Sequence, residues 1–135
     1  MNSKPLILLA DTTVLYSGIV YNGLESKVLK SGKYIFITTG YNILETCKTL
    51  MLKRNISYKD AAGLLKSFPI IVVRHDIYKE NMKKAEELIG FRDKFDVPIV
   101  ALALSLKSHD GIWTSDKDFE VVENRFRIWK SRELI

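Results

Sequence analysis

Asp11, Glu45, Asp96 and Asp116 are the residues of this chain best suited to chemistry. Each lies where a predicted strand ends or near the start of a predicted helix, so the carboxylates can converge on one point although they come from separate segments. Such a cluster describes a site for a hard divalent cation, which prefers oxygen ligands and is usually held by one or two carboxylates together with waters. Four acids suit one or two ions. With no ion bound, acids packed this closely repel one another, and some are expected to hold protons near neutral pH. Asp118 is a further ligand candidate or else a cap for the segment that follows it, and Asp93 reads as a turn residue. Plainer roles stand beside the chemical ones. Asp11 can cap the helix after it, Glu45 can be a solvated helix residue, and Asp96 can serve as N-cap in front of Val97-Pro98, where free N–H groups favour a carboxylate and Pro suits the first turn. Thr12, Thr13, Thr114 and Ser115 supply hydroxyls that either support ligands or cap helices.

The segments that must carry these residues alternate strand and helix. The apolar run from Leu6 to Ala10 reads as a fully buried strand delivering Asp11 at its carboxyl end, and Gly111 to Thr114 as a second delivering Asp116. Between them the pattern predicts a helix over 12–30 interrupted at its glycines, a strand over 34–38, and a helix over 41–54 with Glu45 in its early turns. A helix capped by Ser57 and a strand at Ile70–Val73 follow. A further helix is predicted from Asp76, with Ile77, Met82, Ala85, Leu88 and Ile89 inward and Gly90 at its end. Another covers 97–107, and Phe126 to Trp129 adds a short last strand. Strands joined by helical crossovers imply a parallel sheet covered on both faces. Ligands of such sheets bind outside the carboxyl ends of the strands, where Asp11 and Asp116 fall.

A chain of 135 residues is expected to form a single domain over 1–135. Its longest apolar stretch, Val97 to Leu106, is far too short to span a bilayer, and the N-terminus lacks the apolar segment of an export signal. The expectation is therefore a cytoplasmic protein without a membrane partner. Cys47 stands alone and reads as a small core residue. The net charge of +5 suits a polyanionic partner. An acidic quartet within an otherwise basic chain fits a metal site that must attract a phosphodiester. Lys48, Lys53 and Arg54 follow Glu45, while Arg92, Lys94 and Lys117 flank the other acids; most are expected on solvated helix surface. Tyr16, Tyr21 and Tyr41 fall near the predicted rim, where they either stack on bases or, the expected role, pack in the core or a dimer interface. Trp113, Phe36, Phe68 and Phe126 read as structural.

Leu8-Leu9-Ala10-Asp11-Thr12-Thr13-Val14-Leu15, Leu44-Glu45-Thr46, the run from Arg92-Asp93 through Asp96-Val97-Pro98-Ile99 to Leu104, and Trp113-Thr114-Ser115-Asp116-Lys117-Asp118-Phe119 together resemble the PIN-domain proteins, in order and spacing and over nearly the whole chain. The resemblance implies an α/β fold, a three-layer α/β/α sandwich with a central, mostly parallel sheet of four to five strands. It implies Mg²⁺ or Mn²⁺ held by Asp11, Glu45, Asp96, Asp116 and Asp118, and an endoribonuclease in which Asp11, Glu45, Asp96 and Asp116 are the catalytic acids. Many small members are toxins of VapC-type toxin–antitoxin pairs and others process or degrade RNA without a known antitoxin, so RNA and, for a toxin, an antitoxin protein are the partners the resemblance implies. Separately, the apolar segments of the first two helices could pair two copies of the chain. Metal-assisted hydrolysis predicts 5′-phosphate and 3′-hydroxyl products. Attack by a ribose 2′-hydroxyl instead calls for a His or Lys acid–base pair, and His75 and His109 lie outside the four stretches as expected surface or turn residues. The first stretch departs from relatives that carry Asn or Ser where Thr13 stands; a hydroxyl suffices there if it only supports the site, but the amide is missed if the side chain must both donate and accept. An alternative is a weak or inactive RNA-binding module on the same fold. A dehalogenase-type phosphotransfer site needs a second Asp at position 13, and a receiver domain needs an acidic pair before its phosphoacceptor strand; neither pattern is present.

Overall fold

The computed structural model describes residues 4–135. Strands β1 (Ile7–Ala10), β2 (Ile35–Thr39), β3 (Ile70–Val73), β4 (Ile112–Trp113) and β5 (Ile128–Trp129) form one sheet in the order β3-β2-β1-β4-β5. All four pairings are parallel, with Leu8 opposite Phe36 and Leu9 opposite both Ile37 and Ile112. The chain therefore builds outward from β1 to β3, then returns to the other side of β1 with β4. Strand order reverses between β1 and β4, and there the crossovers diverge to leave a crevice at the carboxyl ends. Asp11 and Asp116 follow these two neighbouring strands.

Side-chain alternation along the strands builds the layers. Leu8, Ala10, Phe36 and Trp113 face α1 (Thr12–Val20) and α2 (Leu24–Lys30), packing with Val14, Leu15, Val28 and Leu29. Leu9 and Ile112 face the opposite layer, centred on α7 (Val97–Ser105), whose residues from Val97 to Ala103 are all buried. That all-round burial explains why α7 is apolar on every side. α3 (Gly40–Arg54) and α4 (Tyr58–Lys66) extend the first layer through a separate cluster of Cys47, Leu50, Ala61 and Leu65, so Cys47 is a core residue as expected. The result is the expected α/β/α sandwich, with five strands and no antiparallel member among the described residues.

One expectation fails in its register. In place of a continuous helix from Asp76 to Gly90 there are α5 (His75–Tyr78), a 3₁₀ turn at Lys79–Asn81, α6 (Met82–Ala85) and a π turn at Glu86–Gly90. Tighter and wider turns shift the residues that share a face, so Tyr78 is buried while Ile77, expected inward, is 54% exposed. At the far end of the sheet, Gly111 has φ +125° and lies so near Arg127 that a Cβ would sit 2.2 Å from its carbonyl oxygen. Only glycine permits that backbone conformation and the close pairing of β4 with β5. Among the described residues no helix is long and apolar enough to cross a membrane.

Candidate metal and active site

The carboxyl ends of β1 and β4 open into a cleft of about 360 Å³ lined by Asp11, Glu45, Asp93, Asp96 and Asp116 together with hydroxyl and aromatic residues. One wall belongs to β1 and α3. Asp11 is the N-cap of α1, and its Oδ1 accepts from the backbone N–H of Thr13 (3.1 Å) and Val14 (3.4 Å) and from the Thr13 hydroxyl (2.6 Å). Its Oδ2 accepts from the Thr114 hydroxyl at 2.7 Å, tying the β1 end to the β4 end. Burial nevertheless outweighs the hydrogen bonds from Thr13, Thr114 and Val14, and with the nearby charge of Asp116 it pushes the Asp11 carboxyl up to about 6. The capping role foreseen for Asp11 is real, and it coexists with a place in the cleft.

Thr13 meets both demands raised by its sequence. Its hydroxyl donates to Asp11 and accepts from the Ser115 N–H at 3.2 Å. A rotating O–H carries one donor and two acceptor sites, so the amide of other sequences is not needed for these two bonds. Glu45, half-buried on α3, accepts from the Thr12 hydroxyl at 2.5 Å; Thr12 in turn accepts from Asn42 Nδ2 at 3.0 Å, and the Thr39 hydroxyl donates to Asn42 Oδ1 at 2.5 Å. This chain of bonds fixes a side chain that would otherwise sample several rotamers.

The opposite wall is built from acids. Asp93, Asp96, Asp116 and Asp118 each offer a carboxylate oxygen, and the four oxygens lie within 4.8 Å of one another. Asp93 is the turn residue expected, accepting from the Phe95 N–H at 2.9 Å, and its carboxylate also joins this group. Asp116 Oδ1 accepts from the Asp118 N–H at 2.9 Å, while Arg92 Nε lies 3.4 Å from Asp118 Oδ1. Asp96 differs from the capping prediction: it occupies the N-cap position of α7, but a 3₁₀ turn at Lys94–Asp96 runs straight into the helix, its ψ is −8°, and its side chain makes no capping bond. Its Oδ2 is buried with no hydrogen-bond partner. Burial first, then the charges of Asp116, Asp11 and Asp93, push the Asp96 carboxyl up to about 9. A desolvated acid with an orphaned oxygen, facing further carboxylates, is the donor set a hard divalent cation fits.

The fold thus brings Asp11, Glu45, Asp96 and Asp116 to one cleft, with Asp118 beside Asp116 just outside its lining. Sequence reading favoured a turn role over a ligand role for Asp93, and it overlooked Phe95, whereas Asn42, one turn before Glu45 on the polar edge expected at the rim, does line the cleft. The Asp93-x-x-Asp96 spacing was the available signal for the first. Tyr16 lines the cleft and also packs, as expected, against the cluster of Cys47 and Leu50 with exposed Tyr21 edge-on to it, and Tyr41 lies against Phe95 at the rim; Trp113 and Phe36 are buried core residues as expected. His109 bonds its own loop through the Ala103 carbonyl and Gly111 N–H, and His75 lies exposed outside the cleft lining.

The sequence pattern of the PIN domain matches residues 11–134. The fold is similar to that of Mycobacterium tuberculosis VapC20, described as a sarcin–ricin loop cleaving toxin, with 18% identity, a TM-score of 0.63, and coverage of 85% of this chain and 94% of that one. No curated protein matches the sequence significantly.

Proposed function

Because the chain belongs to the PIN-domain family, we propose that it is a metal-dependent endoribonuclease, acting as one domain, whose cleft hydrolyses RNA phosphodiester bonds. The observation that carries this reading is the buried, partnerless Oδ2 of Asp96 amid Asp93, Asp116 and Asp118. Asp96, Asp116, Asp93 and Asp118 would hold Mg²⁺ or Mn²⁺, with Asp11 completing the rim between them and β1. When bound, the ion supplies positive charge to the phosphate and lowers the pKa of an attacking water. Glu45, which accepts from Thr12 at Oε1, would take a proton from that water through its other oxygen. Thr13 and Thr114 keep the Asp11 carboxylate in one orientation, which preserves the geometry of the site through the reaction. The basic balance of the chain favours a polyanionic substrate and predicts binding that weakens with salt.

The toxin of a toxin–antitoxin pair, working in the cytoplasm against RNA and silenced by an antitoxin protein, is the biological role we favour; the fold shared with a sarcin–ricin loop cleaving toxin supports it. The test is cleavage of end-labelled RNA by the wild type and by the Asp11→Asn, Asp96→Asn double variant in Mg²⁺, in Mn²⁺ and in EDTA. Cutting that needs the metal and is lost in the double variant is the expected result. RNA bound but uncut under every condition would replace this reading with that of a binding module.

A further inference from the structure

Chemistry at the acids explains neither the rings beside them nor the charges over those rings. Phe95 directly precedes buried Asp96, yet it is 48% exposed and lines the cleft. It lies nearly parallel to Tyr41, at 15° with ring centroids 6.5 Å apart, and Lys94 Nζ sits 5.5 Å from its centre. Tyr16, also lining the cleft, has Lys53 Nζ 5.5 Å from its centre. The two ring-and-lysine pairs are ordered by α3, where Tyr41, Glu45, Thr49 and Lys53 recur every fourth residue and so share one stripe. Phe95 meets that stripe at Tyr41 and Tyr16 meets it at Lys53, about 18 Å further along the helix at 1.5 Å per residue. Glu45 stands between them.

We infer that Phe95 and Tyr16 are stacking platforms for two nucleobases of a single-stranded RNA running along the α3 stripe, one on each side of the bond to be cut. This rests on the nuclease reading of the acids between them. A flat apolar face beside a primary ammonium matches a nucleotide, whose base stacks while its phosphate pairs with the charge. A duplex keeps its bases stacked on one another and out of reach, so the substrate must present unpaired nucleotides at the cleft. Lysines also distinguish this surface from an ordinary apolar patch for a protein partner, for which charge is depleted at the centre.

The test measures dissociation constants for a labelled short oligouridylate, its abasic counterpart and a duplex RNA, in Mg²⁺. The full chain carries Asp116→Asn so that the strand stays intact. On this background Phe95→Ala and Tyr16→Ala should each weaken oligouridylate binding about tenfold, the size of one lost base–ring stack. Phe95→Tyr and Tyr16→Phe should restore it, and the abasic strand should be indifferent to all four changes. Equal affinity for single strand and duplex, or equal losses with and without bases, would overturn the proposal. So would a Phe95→Ala variant that binds RNA normally but changes from dimer to monomer in sedimentation, since the ring would then belong to a protein interface. Cleavage by the wild type is followed in parallel; its absence would remove the nuclease reading and leave the stacking result to stand or fall by itself.

Discussion

Asp11 and Asp96 are both buried acids in one cleft, yet the protein surrounds the first with donors and leaves the second without any on Oδ2. Asp11 accepts four hydrogen bonds, from Thr13 N–H, Thr13 O–H, Val14 N–H and Thr114 O–H. Asp96 faces Asp93 and Asp116 instead, and its carboxyl is pushed up to about 9 against about 6 for Asp11. Backbone geometry produces the contrast. Asp11 leaves a strand with extended ψ, so the first N–H groups of α1 point back at it, whereas Asp96 enters α7 from a 3₁₀ turn in helical conformation and its side chain faces away from those groups. A satisfied acid is held in place by the protein itself; an orphaned one needs a cation to ionise at neutral pH. On the proposed reading, the β1 wall would supply rigidity and the α7 wall affinity for the cation.

The largest effect should come from removing the orphan. Asp96→Asn is expected to lower cleavage by more than about a hundredfold, beyond the ten- to hundredfold typical of residues that only support a ligand. The same variant should unfold at a higher temperature than the wild type in EDTA at pH 8, because it removes a carboxylate whose ionisation the fold opposes. An Asp96→Asn protein that retains wild-type turnover would erase the distinction between the walls. Next in size is Asn42→Ala, which frees Thr12 and through it Glu45; turnover should drop about tenfold to a hundredfold while Mg²⁺ still raises the melting temperature as in the wild type. A parallel loss of that thermal response would move Glu45 onto the metal-binding side of the comparison.

The gentlest probe is pH. Asp96 and Asp11 have folded values raised above the ordinary carboxylate value, so between that value and the raised one the folded state holds protons that the unfolded chain has lost. Their contribution to stability is complete below pH about 4 and declines as pH rises, through about 6 for Asp11 and about 9 for Asp96. In EDTA the folding free energy should fall across that window, and Mg²⁺ should flatten the slope by stabilising the ionised acids. A stability that rises from pH 5 to 8 without metal would contradict the placement of Asp96.

Much of this molecule was legible before folding. The segments ending in Asp11 and in Thr114-Ser115-Asp116 read as buried strands and the apolar stretch from Val97 as a helix, and each forms as read. The segment from Asp76 to Gly90 was not legible in the same way. Helical periodicity assumes constant residues per turn, and the 3₁₀ and π turns there broke it, exposing Ile77 and burying Tyr78. Asp93 was hidden for another reason: a turn residue and a ligand look alike in sequence, and it is both a turn acceptor and a member of the acid group.

Residue order alone placed Asp11, Glu45, Asp96 and Asp116 near the carboxyl rim of the sheet, because strand ends and helix starts follow from local hydrophobic pattern. What those side chains meet there was decided by tertiary structure. That Thr114 donates to Asp11 across 103 positions, that Thr12 and Asn42 hold Glu45, and that Asp96 is left with no donor on one oxygen all depend on β4 returning beside β1. Hydrogen bonds and desolvation act over a few ångströms, and sequence spacing carries no information at that range until the chain has closed on itself.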